Sequence, residues 1–145
     1  VLFRSPGKRP DVYRCSARII GLVKALKASG AFDAILDGAK LHTDKDFASG
    51  DKTLKDQEAP LRRYLHEVSQ DIYGFEQEAP GVLHGAWEMT RNPQWAAIQV
   101  GLIKGVSDAG DAAMNTDKEK RQHDAAQRAA RIALAVLCHF NYREV

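Results

Sequence analysis

The chain has 145 residues, 44% of them apolar and 28% charged, and a net charge of +2. That balance excludes a disordered or fibrous chain and leaves room for one domain with a real core. The charge is too small, and the basic residues too scattered, for a nucleic-acid surface; no apolar run approaches the length of a membrane span.

The opening residues, VLFRSPGKRP, have no periodicity. Residues 1–15 read as an irregular lead-in: a loop, a cloning remnant or the ragged edge of a longer gene. No charged-then-apolar signal segment opens the chain, and its two cysteines, Cys15 and Cys138, lie far apart. The expectation is a reduced, cytoplasmic chain in which both thiols serve packing.

SARIIGLVKALKASG predicts a helix, with Ser16 able to cap it and Gly30 to end it. Ile19, Ile20, Val23 and Leu26 recur near helical spacing. FDAILDGAKLHTD predicts an extended segment, a strand near 34–42, with Gly38 as a bulge. FASGD reads as a loop. DQEAPLRRYLHEV predicts a helix that tolerates Pro60 only in its first turn. DIYGFEQE predicts a strand near 71–77 that runs into a loop. APGVLHGAWEM predicts a helix with Pro80 in its first turn, broken by TRNP. AAIQVGLIKGV is largely apolar and predicts a strand near 97–106, buried on both faces.

The last helix has the clearest signal. Thr116, Asp117, Lys118 and Glu119 have the spacing of a capping box. Ala125, Ala129, Ile132, Val136 and Phe140 then form an apolar stripe. Strands alternate with helices along the chain. That predicts an α/β domain, three-layer α/β/α, with a mainly parallel mixed sheet.

In open α/β sheets, ligands bind beyond the carboxyl ends of strands. Three predicted strands end in polar clusters there: Ser49, Gly50 and Asp51; Glu76, Gln77 and Glu78; Ser107 and Asp108. Each has a plain structural reading as turn, solvated strand end or capping loop. In parallel strands the three converge on one pocket. Glu78 and Asp108 are then expected to open into the same crevice.

The stretches ASGD, FEQEA and IKGVSDAGD, followed by a long alanine-rich helix, resemble the nucleoside phosphorylase superfamily. That group includes purine nucleoside phosphorylases and nucleosidases acting on methylthioadenosine and S-adenosylhomocysteine. Its pattern is a strand ending in Ser-Gly-Asp, one ending in Glu-Met-Glu-Ala and one ending in Ser-Asp. The wording of IKGVSD is most similar to members fused to defence and signalling proteins in bacteria and fungi. The likeness covers about residues 16–140 and corresponds to the C-terminal half of a family domain. Residues 16–145 are accordingly expected to be the C-terminal part of a phosphorylase/hydrolase-like fold truncated at its N-terminus.

The resemblance implies cleavage of the N-glycosidic bond of a purine nucleoside. Asp108 matches the acid that hydrogen-bonds the purine ring nitrogen and protonates the leaving base, and Ser107 matches its neighbour. Glu78 matches the glutamate that holds the ribose hydroxyls, and Glu76 the first glutamate of that motif. Gln77 stands where the family carries a methionine that packs on the sugar. Thr53 stands where some members carry an aromatic near the base.

No glycine-rich phosphate loop is present in the sequence, so phosphorolysis and hydrolysis are both open. No cofactor or metal is implied, and phosphate is the co-substrate only of a phosphorylase. The implied partner is a purine nucleoside, with no nucleic acid and no membrane. A homo-oligomer or a fusion to other domains fits the family. This stretch alone is expected to be inactive. Two rival readings are a non-catalytic nucleotide-sensing or interaction module of the same fold, and a plain α/β domain with no site.

Overall fold

A computed structural model describes residues 14–49, 60–68, 70–76, 79–107 and 117–140. Helices and a two-stranded parallel sheet make it a mixed α/β arrangement with two apolar clusters.

Helix α1 spans Ala17–Ala28 and buries Val23 and Leu26, as its apolar spacing predicts. Its C-terminus closes in a Schellman motif. The Ala31 amide donates to the Leu26 carbonyl and the Gly30 amide to the Lys27 carbonyl, both at 3.1 Å. Gly30 has φ of +77°, a conformation a β-carbon disfavours. At the other end Ser16 occupies the N-cap position without capping. Its amide instead donates to the Val100 carbonyl, and its Oγ accepts from the Val100 amide, both at 2.7 Å.

The strand expected near 34–42 is not formed. Residues Asp33–Leu36 make a short helix, α2. The helical spacing of Phe32, Ile35 and Leu36 wins, because it turns all three onto the core shared with α1. Phe32 is fully buried. Asp37 and Gly38, at φ of +46° and +82°, end the turn rather than bulging a strand.

The first strand, β1, comes later, at Asp46–Ser49, inside the stretch expected to be a loop. Helix α3, Pro60–Val68, begins at its proline and carries the chain across to β2, Ile72–Glu76. The two strands pair in parallel, with Asp46 opposite Ile72, Phe47 opposite Gly74, Ala48 opposite Phe75 and Ser49 opposite Glu76. Ala48, Leu65 and Ile72 are buried together beneath α3, with Tyr64 packed against them. A β-carbon at Gly74 would collide with the Phe47 ring, so the residue has to be glycine for this pairing.

Helix α4, Ala79–Thr90, follows with Pro80 in its first turn. It stops at the expected breaker. Thr90 Oγ1 donates to the Trp87 carbonyl at 2.8 Å, and the Asn92 side chain caps a 3₁₀ turn over Pro93–Trp95.

The apolar stretch near 97–106 lies outside the sheet and pairs as no strand. It runs instead along helices α1 and α5. Ser16 holds it at Val100. A β-carbon at Gly101 would sit 2.8 Å from Ile19 Cγ2, and one at Gly105 would meet the Ala125 carbonyl. Two glycines four residues apart let this backbone lie directly on helices, and that contact replaces a strand neighbour. Ile103 completes the helical core.

Helix α5, Lys118–His139, is 22 residues long and buries Ala125, Ile132 and Val136. Ala129 and Phe140 of the predicted stripe are half-buried. The Arg18 guanidinium stands over the Phe140 ring at 4.9 Å. Of the expected capping box, Thr116 lies outside the described residues. Asp117, at φ of +49°, is the N-cap and makes no side-chain cap bond. That frame puts Lys120, not Glu119, at the third helical position, where a lysine cannot return a bond to the cap.

Among the described residues no helix is long and apolar enough to cross a membrane.

Candidate functional site

Parallel pairing gives the small sheet two unlike ends. At the amino end, Lys45 precedes β1 and Asp71 precedes β2. Their side chains meet, with Lys45 Nζ donating to Asp71 Oδ1 at 2.9 Å. Lys45 also stands over the Tyr73 ring at 5.0 Å, and His42 lies 4.9 Å from the same ring. The hydrogen bond to Asp71 lifts the Lys45 pKa above the usual 10.5; desolvation opposes it, and the Asp71 and Asp44 charges reinforce it. This end is closed by an ion pair and an aromatic ring.

The carboxyl end is where the candidate residues fall. Ser49 and Glu76 are register partners, so the backbone sets the first residues of two of the three polar clusters side by side at the carboxyl end of the sheet. That follows from parallel pairing alone: an antiparallel pair would have sent them to opposite ends. The residues after them, Thr53, Gln77 and Glu78, lie outside the described residues. Glu76 is placed as the last residue of β2.

The third cluster comes from elsewhere. Ser107 is half-buried at the end of the segment clasped by α1 and α5, not at the end of a sheet strand. Asp108 lies outside the described residues. The expected convergence of Glu78 and Asp108 therefore concerns two positions outside them.

Among the described residues no group of three or more His, Cys, Asp or Glu side chains could hold a metal ion.

A second concavity went unread in the sequence. A cleft of about 530 Å³ separates α4 from residues 98–100 and the start of α1. Its signal was present: Leu83, Ala86, Trp87 and Thr90 follow helical spacing along one side of α4, which otherwise reads as an ordinary packing face.

No family model matches the chain, and neither a curated protein nor a solved structure matches it.

Proposed function

We propose that the chain belongs to a three-layer α/β/α domain of the nucleoside phosphorylase type, which cleaves the N-glycosidic bond of a purine nucleoside. The observation that carries this reading is the parallel register that pairs Ser49 with Glu76. It is the arrangement that lets Ser-Gly-Asp and Glu-Gln-Glu serve one crevice.

The chemistry suits the residue types. Breaking the bond leaves positive charge on the sugar and negative charge on the departing purine. Asp108, protonated, neutralises the base as it leaves. Glu78 grips two vicinal ribose hydroxyls with its two oxygens and fixes the sugar. Glu76, Ser107 and Thr53 line the same crevice. Phosphate or water takes the anomeric carbon. Cys15 and Cys138 are unpaired thiols, in keeping with a cytoplasmic setting.

Gln77 favours a second reading, a nucleoside-sensing module without turnover. A carboxamide there gives the sugar a hydrogen-bonding neighbour where the family presents an apolar thioether.

The full-length protein, of which this chain is expected to be the C-terminal part, tests both when incubated with purine nucleosides, with and without phosphate, by chromatography of the released base. Release is expected, and its dependence on phosphate separates the two chemistries. Asp108→Asn should lower turnover by about 10²–10⁴-fold, since the amide has no acidic proton to give. Near-normal turnover by that variant would sink the proton-donor role. Nucleoside binding without base release would select the sensing module.

A further inference from the structure

The cleft beside α4 has an unusual polar complement. Its apolar wall is Leu83, Ala86 and Trp87 on one side and Ile98 and Val100 on the other. Its polar groups are Arg14 and Ser16, where the chain enters α1, and Thr90, whose hydroxyl proton goes to the Trp87 carbonyl. No carboxylate is among the described residues that line it.

The donors of Arg14 and Ser16 are unspent. Ser16 Oγ accepts from the Val100 amide at 2.7 Å, which leaves its own hydroxyl proton available. Arg14 is exposed and makes no hydrogen bond or ion pair with the described residues. Arg91, the other arginine of this neighbourhood, is engaged differently. It lies over the Trp87 ring at 5.0 Å and 3.7 Å from Glu88 Oε1. Trp87 is thereby held between Arg91 and the His84 ring, 6.1 Å away, yet half its surface is exposed.

A rim with a guanidinium and no carboxylate among the described residues favours an anion, and an apolar wall favours a hydrocarbon body. The guanidinium fork matches a planar carboxylate in two parallel hydrogen bonds. The volume is within the usual range for a small-molecule site, roughly 300–1,000 Å³. A phosphate monoester or a polyol would leave the apolar wall unsatisfied. A neutral hydrocarbon would leave Arg14 unused.

We propose that this cleft binds an amphipathic monocarboxylate, its chain along Leu83, Ala86 and Trp87 and its carboxylate on Arg14. None of its lining residues belongs to the nucleoside reading, and the proposal does not depend on that reading.

Octanoate is the probe. In the full chain carrying Trp95→Phe, Trp87 is the sole tryptophan, since the protein has two. Titration should change its emission saturably, with one site per chain by calorimetry. Each methylene buried is worth about fourfold, so hexanoate should bind on the order of tenfold more weakly. Arg14→Gln should weaken octanoate about tenfold or more, and n-octanol should match that weakened binding in the parent. Ala86→Phe should fill the cleft and abolish binding. Arg14 is exposed, so its variant keeps the test valid if Ala86→Phe fails to fold. Asp108→Asn should leave octanoate binding unchanged, which separates this site from the nucleoside reading. Three results would each overturn the proposal: no saturable change, equal binding of octanoate and n-octanol, or octanoate binding indifferent to Arg14→Gln.

Discussion

The two apolar clusters are built on different terms. The helical one gathers Val23, Leu26, Phe32, Ile132 and Val136 from α1, α5 and the entry to α2, with seven more apolar residues packed around it. Among the described residues the sheet cluster has three buried ones, Ala48, Leu65 and Ile72, and Tyr64 beside them. The helices bring long amphipathic faces that bury side chains at every turn. The sheet is two short strands, and one of its outward residues, Tyr73, stays 59% exposed. Parallel strands normally have both faces covered. Among the described residues the deeper core is therefore helical, while the candidate chemistry starts from the sheet. Functional edges are commonly drawn from the low-stability end of a fold.

The largest test of that contrast is Phe32→Ala. Emptying a fully buried aromatic site should cost about 3–5 kcal/mol, read as a lower urea midpoint. Leu65→Ala should cost less, because fewer neighbours surround it. Amide exchange in Leu65→Ala should speed up in β1 and β2 while α1 and α5 remain protected. Equal loss of protection everywhere would show one cooperative core rather than two.

Gly105→Ala comes next. The new methyl meets the Ala125 carbonyl, which is helix backbone and cannot swing aside. Overpacking of this kind typically costs about 1–3 kcal/mol, and the upper end is expected here. A melting temperature equal to the parent would mean that residues 98–107 do not lie on α5.

Gly21→Ala should move stability the other way. Nothing lies within 4 Å of a β-carbon there, in the middle of α1. Relief of backbone entropy should add about 0.5–1 kcal/mol, read from thermal melts.

The smallest effect concerns the closed end of the sheet. Lys45 has a folded pKa above 10.5, so its pairing with Asp71 contributes fully below that value. The contribution is lost as pH rises through the folded pKa. A modest fall in stability above pH 10.5 should be absent from Asp71→Asn, compared at low and high salt.

The same contrast explains what was legible in the sequence. Helices α1, α3, α4 and α5 and strand β2 could be read from apolar period, proline placement and breakers. The segment near 34–42 could not, because a three-residue apolar set at positions 32, 35 and 36 fits a helical turn as well as it fits the edge of a strand. Strand β1 was hidden for a related reason. DFAS has one buried residue, Ala48, and turn-forming neighbours. The run around 97–106 looked like a buried strand because burial between two helices and burial in a sheet leave the same apolar signature. Only the spacing of Gly101 and Gly105 hinted at helix contact. For the candidate site, the order of the motifs was readable; the pairing of Ser49 with Glu76 was not, because it runs through β1. The donor-rich cleft was not, because Arg14 and Trp87 are 73 positions apart in the chain.

The clasp between Ser16 and Val100 has a kinetic consequence. Its two partners are 84 positions apart. Closing a loop of that length costs about 2 kcal/mol more in chain entropy than closing one of ten residues. Two hydrogen bonds at roughly 0.5–1.5 kcal/mol each return about as much as that, which leaves little net drive to close the loop first. The clasp is therefore a late event in folding, made once α1 and α5 have already met. Residues 98–107 then settle along helices that are in place.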